Sequence, residues 1–302
     1  MVASQGRAFV AMSGGVDSSV AAALLVEQGF DVTGIMLHLW AEEENRCCAP
    51  QAVEDARHVA EQLGIDFFLV DYEAEFKARV VDYFVAEYSR GRTPNPCLVC
   101  NEQIRFGQLL RHVQALGAET MATGHYARIA RTNGAHRLQK GADPQKDQSY
   151  VLYMLGQDEL RRLMFPVGSY TKVQVREMAR ERGLPIADKD ESMEICFVTD
   201  DDYRRFLREH APQSMQPGPI LDTSGQEIGR HQGLPCYTVG QRRGLGIAAP
   251  EALYVLRLDV ANNALIVGTT RELGQSTLTV SYTHLTLPTT CTPCRSRWSP
   301  YH

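Results

Sequence analysis

The sequence has no run approaching the ~18–20 consecutive apolar residues of a membrane-spanning helix. It has no signal-peptide pattern either: the apolar run near its start, Val20 to Val26, follows Asp17 and sits inside an amphipathic pattern. Charge of one sign is not in large excess. With 31 basic and 36 acidic residues the net charge is −5, which excludes a strongly basic protein that coats nucleic acid by bulk electrostatics. A local basic groove stays open, because phosphate binding depends on where charge sits rather than on its total. Internal repeats are missing, and 44% hydrophobic with 22% charged residues excludes a disordered, collagenous or coiled-coil chain. What remains is an ordinary globular composition over 302 residues, about two domains at roughly 150 residues each, and long enough to bury a core without staples. Eight cysteines without an export signal point to a reducing compartment, the cytoplasm, where thiols are buried, catalytic or metal-binding rather than disulfide-bonded. No membrane partner is expected.

Strand and helix patterns alternate over the first 120 or so residues. Arg7–Met12, Asp31–Leu39, Ile65–Val70 and Thr120–Thr123 read as strands. Ser18–Gln28, Val53–Leu63, Glu73–Arg90 and Glu102–Leu116 read as helices, each followed at its end by a glycine (Gly29, Gly64, Gly91, Gly117). This alternation predicts an α/β fold, a parallel sheet with flanking helices. Further on, Val151–Leu155, Asp158–Met164, Lys172–Arg182 and Tyr203–Glu209 are predicted as helices and Glu194–Val198 as a strand. Pro212, Pro217, Gly218 and Pro219 mark a change of texture. Short β segments joined by turns follow, Ile220–Asp222 with Glu227–Gly229 and Tyr254–Val260 with Ala264–Gly268, the second pair across Asn262-Asn263. The expected organisation is a catalytic α/β domain over 1–211, a small all-β domain over 212–275, and a tail over 276–302. That tail holds seven Thr in 27 residues and no acidic residue.

Ala11-Met12-Ser13-Gly14-Gly15-Val16-Asp17-Ser18 joins the first strand to the first helix. Adjacent glycines let backbone N–H groups close on an oxyanion without Cβ interference. The helix N-terminus adds unpaired donors and the positive end of a dipole. The loop lacks the Gly-Lys-Ser/Thr ending of a Walker loop and the G-x-G-x-x-G spacing of a dinucleotide fold. It resembles the S-G-G-x-D-S loop of the ATP-pyrophosphatase superfamily, whose members cleave ATP between the α- and β-phosphates and adenylate a substrate oxygen.

Two cysteine segments narrow the acceptor. Thr93-Pro94-Asn95-Pro96-Cys97-Leu98-Val99-Cys100-Asn101 is a proline-punctuated loop leading into a helix, with Cys100 expected at or before its first turn, where the dipole lowers a thiol pKa. Ile195-Cys196-Phe197 lies in the predicted strand. Taken singly, each thiol is more often a small buried hydrophobe than a functional group. Together with the phosphate loop, and with Thr123-Gly124-His125-Tyr126, Lys146-Asp147-Gln148-Ser149-Tyr150, Phe165–Gly168 and Thr238–Gly246, they resemble the tRNA-specific 2-thiouridylase family over about residues 7–272. That resemblance implies ATP with Mg2+ as phosphate-loop ligand, with Ala11, Met12, Ser13, Gly14, Gly15, Val16, Asp17, Ser18, Leu37 and Gly124 around the nucleotide. It implies adenylation of the C2 oxygen of a wobble uridine and a persulfide on Cys196, received from a cysteine desulfurase or sulfur-relay protein. Cys100 either attacks C2 or resolves the persulfide. Leu98, Val99, His125, Lys146, Asp147 and Gln148 match segments that meet the tRNA.

Where several members of that family carry Asp, this chain has Cys97. Cys97, Cys100 and Cys196 would then form a three-thiolate set able to hold a [4Fe–4S] cluster with one open iron. A four-cysteine zinc site pairing Cys97/Cys100 with Cys291/Cys294 is disfavoured, because the second pair lies in the tail. Cys47-Cys48 reads as incidental and Cys236 as a core residue. Arg242-Arg243, set between Gly240 and Gly244, is a candidate phosphate contact, whereas Arg161-Arg162 and Arg204-Arg205 read as solvated faces. The resemblance stops near 272–280, where the family continues into a β-barrel, and the tail is expected to be an unrelated stretch. Two other readings stay open: an amidating or ligating enzyme using the same adenylation, and a non-catalytic tRNA- or nucleotide-binding protein.

Overall fold

The structure, a computed structural model, describes residues 5–42, 50–190, 195–198 and 200–274. Cys47, Cys48, Cys291, Cys294 and the 276–302 tail lie outside the described residues. Two compact units are present: residues 5–81 and 96–201 within those limits form the first, and 82–95 with 202–274 the second.

The first unit is built on strands β1 (Arg7–Ala11), β2 (Asp31–His38), β3 (Asp66–Asp71) and β4 (Thr120–Thr123). A short hairpin follows, β5 (Ala127–Thr132) and β6 (Ala135–Lys140), and then β7 (Leu163–Met164). The sheet order is β3-β2-β1-β4-β7, every pairing parallel, as the strand–helix alternation predicts. β1 lies at its centre, so Ala8, Phe9 and Val10 are buried. The chain winds outward from β1 to β3 on one side and then crosses to β4 on the other. The β1/β4 boundary is therefore a topological switch point, where open α/β sheets leave a crevice at the carboxyl ends of their strands.

Helix Val16–Glu27 packs between sheet and helices, and Val16 through Leu25 are buried apart from the partly exposed Asp17. The amphipathic reading of Val20–Val26 gives way here to burial all round, the state an unbroken apolar run prefers. Val20, Ala21, Leu24 and Leu25 share one core with Val32 and Met36 of β2, Ala56 and Val59 of helix Pro50–Leu63, and Val175 and Ala179 of helix Lys172–Glu181. Each buried Leu or Val there contributes roughly 1.5–3 kcal/mol.

Three sequence expectations are corrected. Val151–Leu155 is not a helix: a single 3-10 turn, Ser149–Val151, reaches only its first residue, and a turn at Tyr153-Met154 follows. Asp158–Met164 divides into a short helix, Gln157–Leu160, and strand β7, because Leu163 and Met164 find edge partners in Met121 and Ala122 of β4. Ile195–Val198 is a turn closed by Val198 N–H donating to the Ile195 carbonyl (3.0 Å), not a strand. It turns Phe197 inward, edge-on to Phe76 at 5.9 Å.

In the second unit, β8 (Gly218–Leu221), β9 (Glu227–His231), β10 (Tyr254–Asp259) and β11 (Ala264–Gly268) form a sheet of order β10-β11-β8-β9. Asn263 takes φ +47° in the turn that joins β10 to β11, which suits the Asn-Asn dipeptide. Phe84 and Tyr88 of helix Asp82–Ser89 pack against Phe206 and Tyr203 of helix Tyr203–His210. Cys236 is buried, and burial pushes its thiol pKa up, as a core cysteine requires.

Candidate functional site

The loop after β1 takes its shape from two glycines. Gly14 adopts φ +67°, and a Cβ there would run into the Ala52 carbonyl oxygen. Gly15 is the extended N-cap of helix Val16–Glu27 and has no side chain to accept from the helix's first N–H groups. The turn is braced by serines instead: Ser13 N–H donates to Ser18 Oγ (3.1 Å), while Ser18 and Ser19 hydroxyls donate to the Gly15 carbonyl (3.2 and 2.9 Å). The result is a 12-residue helix with no side-chain cap, opening at the switch point. Its first-turn N–H groups lack intrahelical partners by geometry, and the dipole favours an anion there.

β4 closes the other side. Gly124, the first residue after it, lies against the helix start: a Cβ would stand 2.6 Å from Ser18 N and 2.7 Å from Asp17 C. Next comes His125, 7% exposed, its Nδ1 2.7 Å from Thr123 Oγ1 and its ring beside Phe106 and Phe165. Burial, with a smaller contribution from the Arg105 charge, pushes its pKa down to about 3. His125 is therefore neutral in the folded protein. The sign follows directly: its stabilising contribution is complete above pH ~6.5 and is lost as pH falls from 6.5 toward 3. Between pH 7 and 5, wild type should lose about 2 kcal/mol more stability than His125→Gln. Urea midpoints of the two proteins at both pH values check this, and parallel losses would refute it.

Sequence reading misses two lysines that reach this loop. Lys172, at the start of helix Lys172–Glu181, places Nζ 2.7 and 2.9 Å from the two Asp17 carboxylate oxygens. The Tyr126 hydroxyl donates to Asp17 Oδ1 at 2.7 Å. Lys189 Nζ donates to the Gly14 carbonyl (3.0 Å) and pairs with Asp55 Oδ2 (2.6 Å). The Asp55 carboxyl pKa is pulled up by burial but ends below its usual value, because hydrogen bonds from Lys189 and Gln51 outweigh the desolvation. The Thr171-x-x-Gln174 capping box, with Gln174 N–H on Thr171 Oγ1 and Thr171 N–H on Gln174 Oε1, fixes where the Lys172 helix starts. That box is legible in the sequence; the destination of Lys172 is not.

Leu37 is buried near the end of β2. Of the 146–148 segment, Asp147 accepts from Gly141 N–H, Ser149 N–H and the Ser149 hydroxyl, while Gln148 Oε1 accepts from Tyr126 N–H (2.9 Å). Both side chains shape their own loop, and Gln148 thereby fixes the residue that holds Asp17. Lys146, Leu98 and Val99 are half-buried.

Cys97 lies in the helical turn Pro96–Val99, and Cys100 begins the wide-turn π segment Cys100–Leu109 that continues it. The helix thus starts one turn earlier than the sequence pattern predicts, at a proline, whose missing N–H costs nothing at a first helical position. Cys97, not Cys100, therefore lies in the first turn of this helical stretch, beyond which the dipole effect fades. Cys100 is buried, whereas Cys97 and Cys196 are half-buried. Arg242 and Arg243 are exposed in a turn where Gly240 and Gly244 take positive φ.

A parallel sheet with an uncapped glycine-rich helix start at its switch point, approached by two lysines, defines a nucleotide-handling α/β domain of the HUP class. The sequence agrees, matching the tRNA methyl transferase HUP domain over residues 6–200 and the tRNA methyl transferase PRC-barrel domain over 204–269. A tRNA-specific 2-thiouridylase MnmA of Roseiflexus castenholzii is 53% identical over 293 residues, covering 90% of this chain and 79% of that protein. The protein of the same name from Chloroflexus aurantiacus is 54% identical over 277 residues, covering 90% and 77%. That from Symbiobacterium thermophilum is 47% identical over 312 residues, covering 97% and 80%. The chain belongs to the tRNA-specific 2-thiouridylase family. It is a tRNA-uridine sulfurtransferase of an ATP-using class. No described helix is long and apolar enough to cross a membrane.

Proposed function

We propose that this chain inserts sulfur at C2 of the wobble uridine of tRNA in the cytoplasm, through an adenylated uridine and a cysteine persulfide. We assign catalysis to residues 1–211 and an accessory role to the β unit at 212–275. The observation that carries the reading is the uncapped helix start at Gly15–Ser18, set between β1 and β4 with Lys172 and Lys189 alongside. Backbone N–H groups of Gly14–Ser18 would hold the ATP phosphates, with Ala11–Ser13, Leu37 and Gly124 around the nucleotide. The uridine C2 oxygen attacks the α-phosphorus and diphosphate leaves, which turns a poor leaving group into AMP. Asp17 and Asp55 are already paired with lysines. The donor set therefore suits a Mg2+ carried on the triphosphate oxygens rather than one caged by protein carboxylates.

Cys196, half-buried on its turn, is the thiol that an external persulfide donor, a cysteine desulfurase or sulfur-relay protein, can reach. Its terminal sulfur displaces AMP from C2. The buried Cys100 thiolate then attacks the Cys196 sulfur, giving a Cys100–Cys196 disulfide and releasing 2-thiouridine. A dithiol reductant returns both thiols. Leu98, Val99, Lys146 and the backbone at His125 are assigned to the tRNA face, with Asp147 and Gln148 ordering it.

The test is mass spectrometry of tRNA after incubation with ATP and a persulfide donor. Wild type is expected to give 2-thiouridine, while Cys100→Ser and Cys196→Ser each lower the yield by at least ~10³-fold, the scale for loss of a covalent group. Full activity in both variants would overturn the persulfide route, and a wild type that forms no 2-thiouridine would return the amidating or ligating reading.

As a second reading, Cys97, Cys100 and Cys196 supply three thiolates, the donor set of a [4Fe–4S] cluster with one open iron that could accept sulfide. Cys97 and Cys100, three residues apart on one helical stretch, share a face. Anaerobically purified protein is then expected to carry iron and labile sulfide, and the lack of either ends this reading.

A further inference from the structure

The hairpin of β5 and β6 contains Arg128, Arg131, His136, Arg137 and Lys140 and no acidic residue, in a chain whose net charge is −5. Arg128, Arg131, Arg137 and Lys140 are all exposed. Elsewhere many cations are neutralised: Arg90 and Arg92 pair with Glu87, Arg180 with Asp188, Arg182 with Glu27 and Arg205 with Glu209. No ion pair with a described carboxylate engages the four hairpin cations; the Arg128 Nε donates only to the Lys140 carbonyl.

The register distributes them. Arg128 pairs with Gln139, Ala130 with Arg137 and Thr132 with Ala135, so these six residues share one face. The opposite face carries Ala127, Ile129 and Leu138, with Ala127 and Leu138 buried. The outer face is thus Arg128, Arg137, Gln139 and Thr132, with two guanidiniums on a cross-strand diagonal of about 7–8 Å between backbones. Arg131 and Lys140 flank it at the two ends of the inner face. The Asn133-Gly134 turn, φ +52° and +79°, holds the ribbon in the tight form that matches strand twist.

The root of this ribbon is the site itself. β5 leaves directly from Gly124-His125-Tyr126, and β6 returns to Gly141, whose N–H donates to Asp147 (2.9 Å) and where a Cβ would stand 2.7 Å from the Tyr126 carbonyl oxygen.

Resting on the reading of the substrate as tRNA, we infer that the outer face of the β5–β6 hairpin is a docking surface for the phosphate backbone of a helical tRNA stem. Unpaired arginines with flanking Gln and Thr suit phosphate and ribose oxygens. Residues 127–140 include no Phe, Tyr or Trp on which a splayed base could stack, so contact is to the backbone of a duplex rather than to single-stranded bases. The hairpin positions the stem, and the loop at its root receives the uridine.

The experiment measures the Kd for unmodified tRNA against salt concentration, using the whole chain. Arg128→Gln/Arg137→Gln is expected to weaken binding about tenfold near 0.1 M salt and to reduce the slope of log K against log salt by about 2. Its thermal midpoint should not change. Lys77→Gln/Arg79→Gln, two exposed cations of segment Lys77–Val81, is expected to leave both the affinity and the slope unchanged. A second hairpin pair, Arg131→Gln/Lys140→Gln, is expected to give a smaller loss of the same kind and decides the matter if the first variant unfolds. Wild-type affinity and slope in both hairpin variants overturn the assignment, as do equal losses in hairpin and control variants. A wild-type chain that does not bind tRNA overturns the functional reading itself.

Discussion

Gly124→Ala is expected to raise the Kd for ATP by about 30- to 100-fold and to lower the unfolding midpoint. The new methyl would meet backbone, Ser18 N at 2.6 Å and Asp17 C at 2.7 Å, rather than the movable end of a side chain. Relief needs either β4 or the start of helix Val16–Glu27 to shift, and neither is loose: β4 is in register with β1, and Val16 and Ser18 are buried. Overpacking of this kind costs about 1–3 kcal/mol. A cost of about 2–2.7 kcal/mol at the phosphate loop corresponds to the stated loss of affinity. Calorimetric titration with ATP, beside a urea melt, reads both effects. A lowered midpoint with ATP binding within twofold of wild type would show that the loop does not receive the nucleotide. Gly14→Ala adds a second cause, since φ +67° disfavours any L side chain there.

Lys172→Met should destabilise the protein by about 2 kcal/mol and weaken ATP binding at the same time. Lys172 is 8% exposed. Its ammonium bridges both Asp17 oxygens and lies 5.9 Å from the centre of the Tyr126 ring. Removing it leaves the carboxylate with only the Tyr126 hydroxyl from this group. Breaking a fully buried pair costs about 3–5 kcal/mol, and the partial exposure of Asp17 lowers that figure here. In the double variant Asp17→Asn/Lys172→Met the orphaned charge is gone. A double-mutant cycle on urea midpoints should therefore give a coupling of about 1–2 kcal/mol. Additive losses would mean that the two side chains contribute independently and that the short distances carry no energy.

The phosphate loop, the glycines that stop the helices, the turn at Asn262-Asn263 and the cysteine segments are all legible in the sequence, because each is a local signal. A strand–glycine–helix succession needs only adjacent residues. Failures occur where a distant partner decides. Leu163 and Met164 continue a helical pattern, yet they form a strand because β4 offers them an unpaired edge. Cys196 lies amid residues suited to a strand, yet the segment turns so that Phe197 can pack on Phe76. Cys100 stands one turn further into its helix than the spacing suggests, since Pro96 can occupy the first helical position. The Asn133-Gly134 hairpin was available as an Asn-Gly signal between two apolar-polar alternations, but its basic outer face depends on the strand register.

By itself the sequence determined the class of sheet, the place of the anion-binding loop and the inventory of thiols. Helix periodicity, turn propensity and glycine's freedom at positive φ act over a few residues. Tertiary structure alone decided which cations serve that loop. Lys172 reaches Asp17 across 155 positions and Lys189 reaches the Gly14 carbonyl across 175. No periodicity relates residues so far apart. Their meeting follows from how helix Lys172–Glu181 packs on helix Val16–Glu27 through a shared apolar core, and that packing is set by the whole sheet.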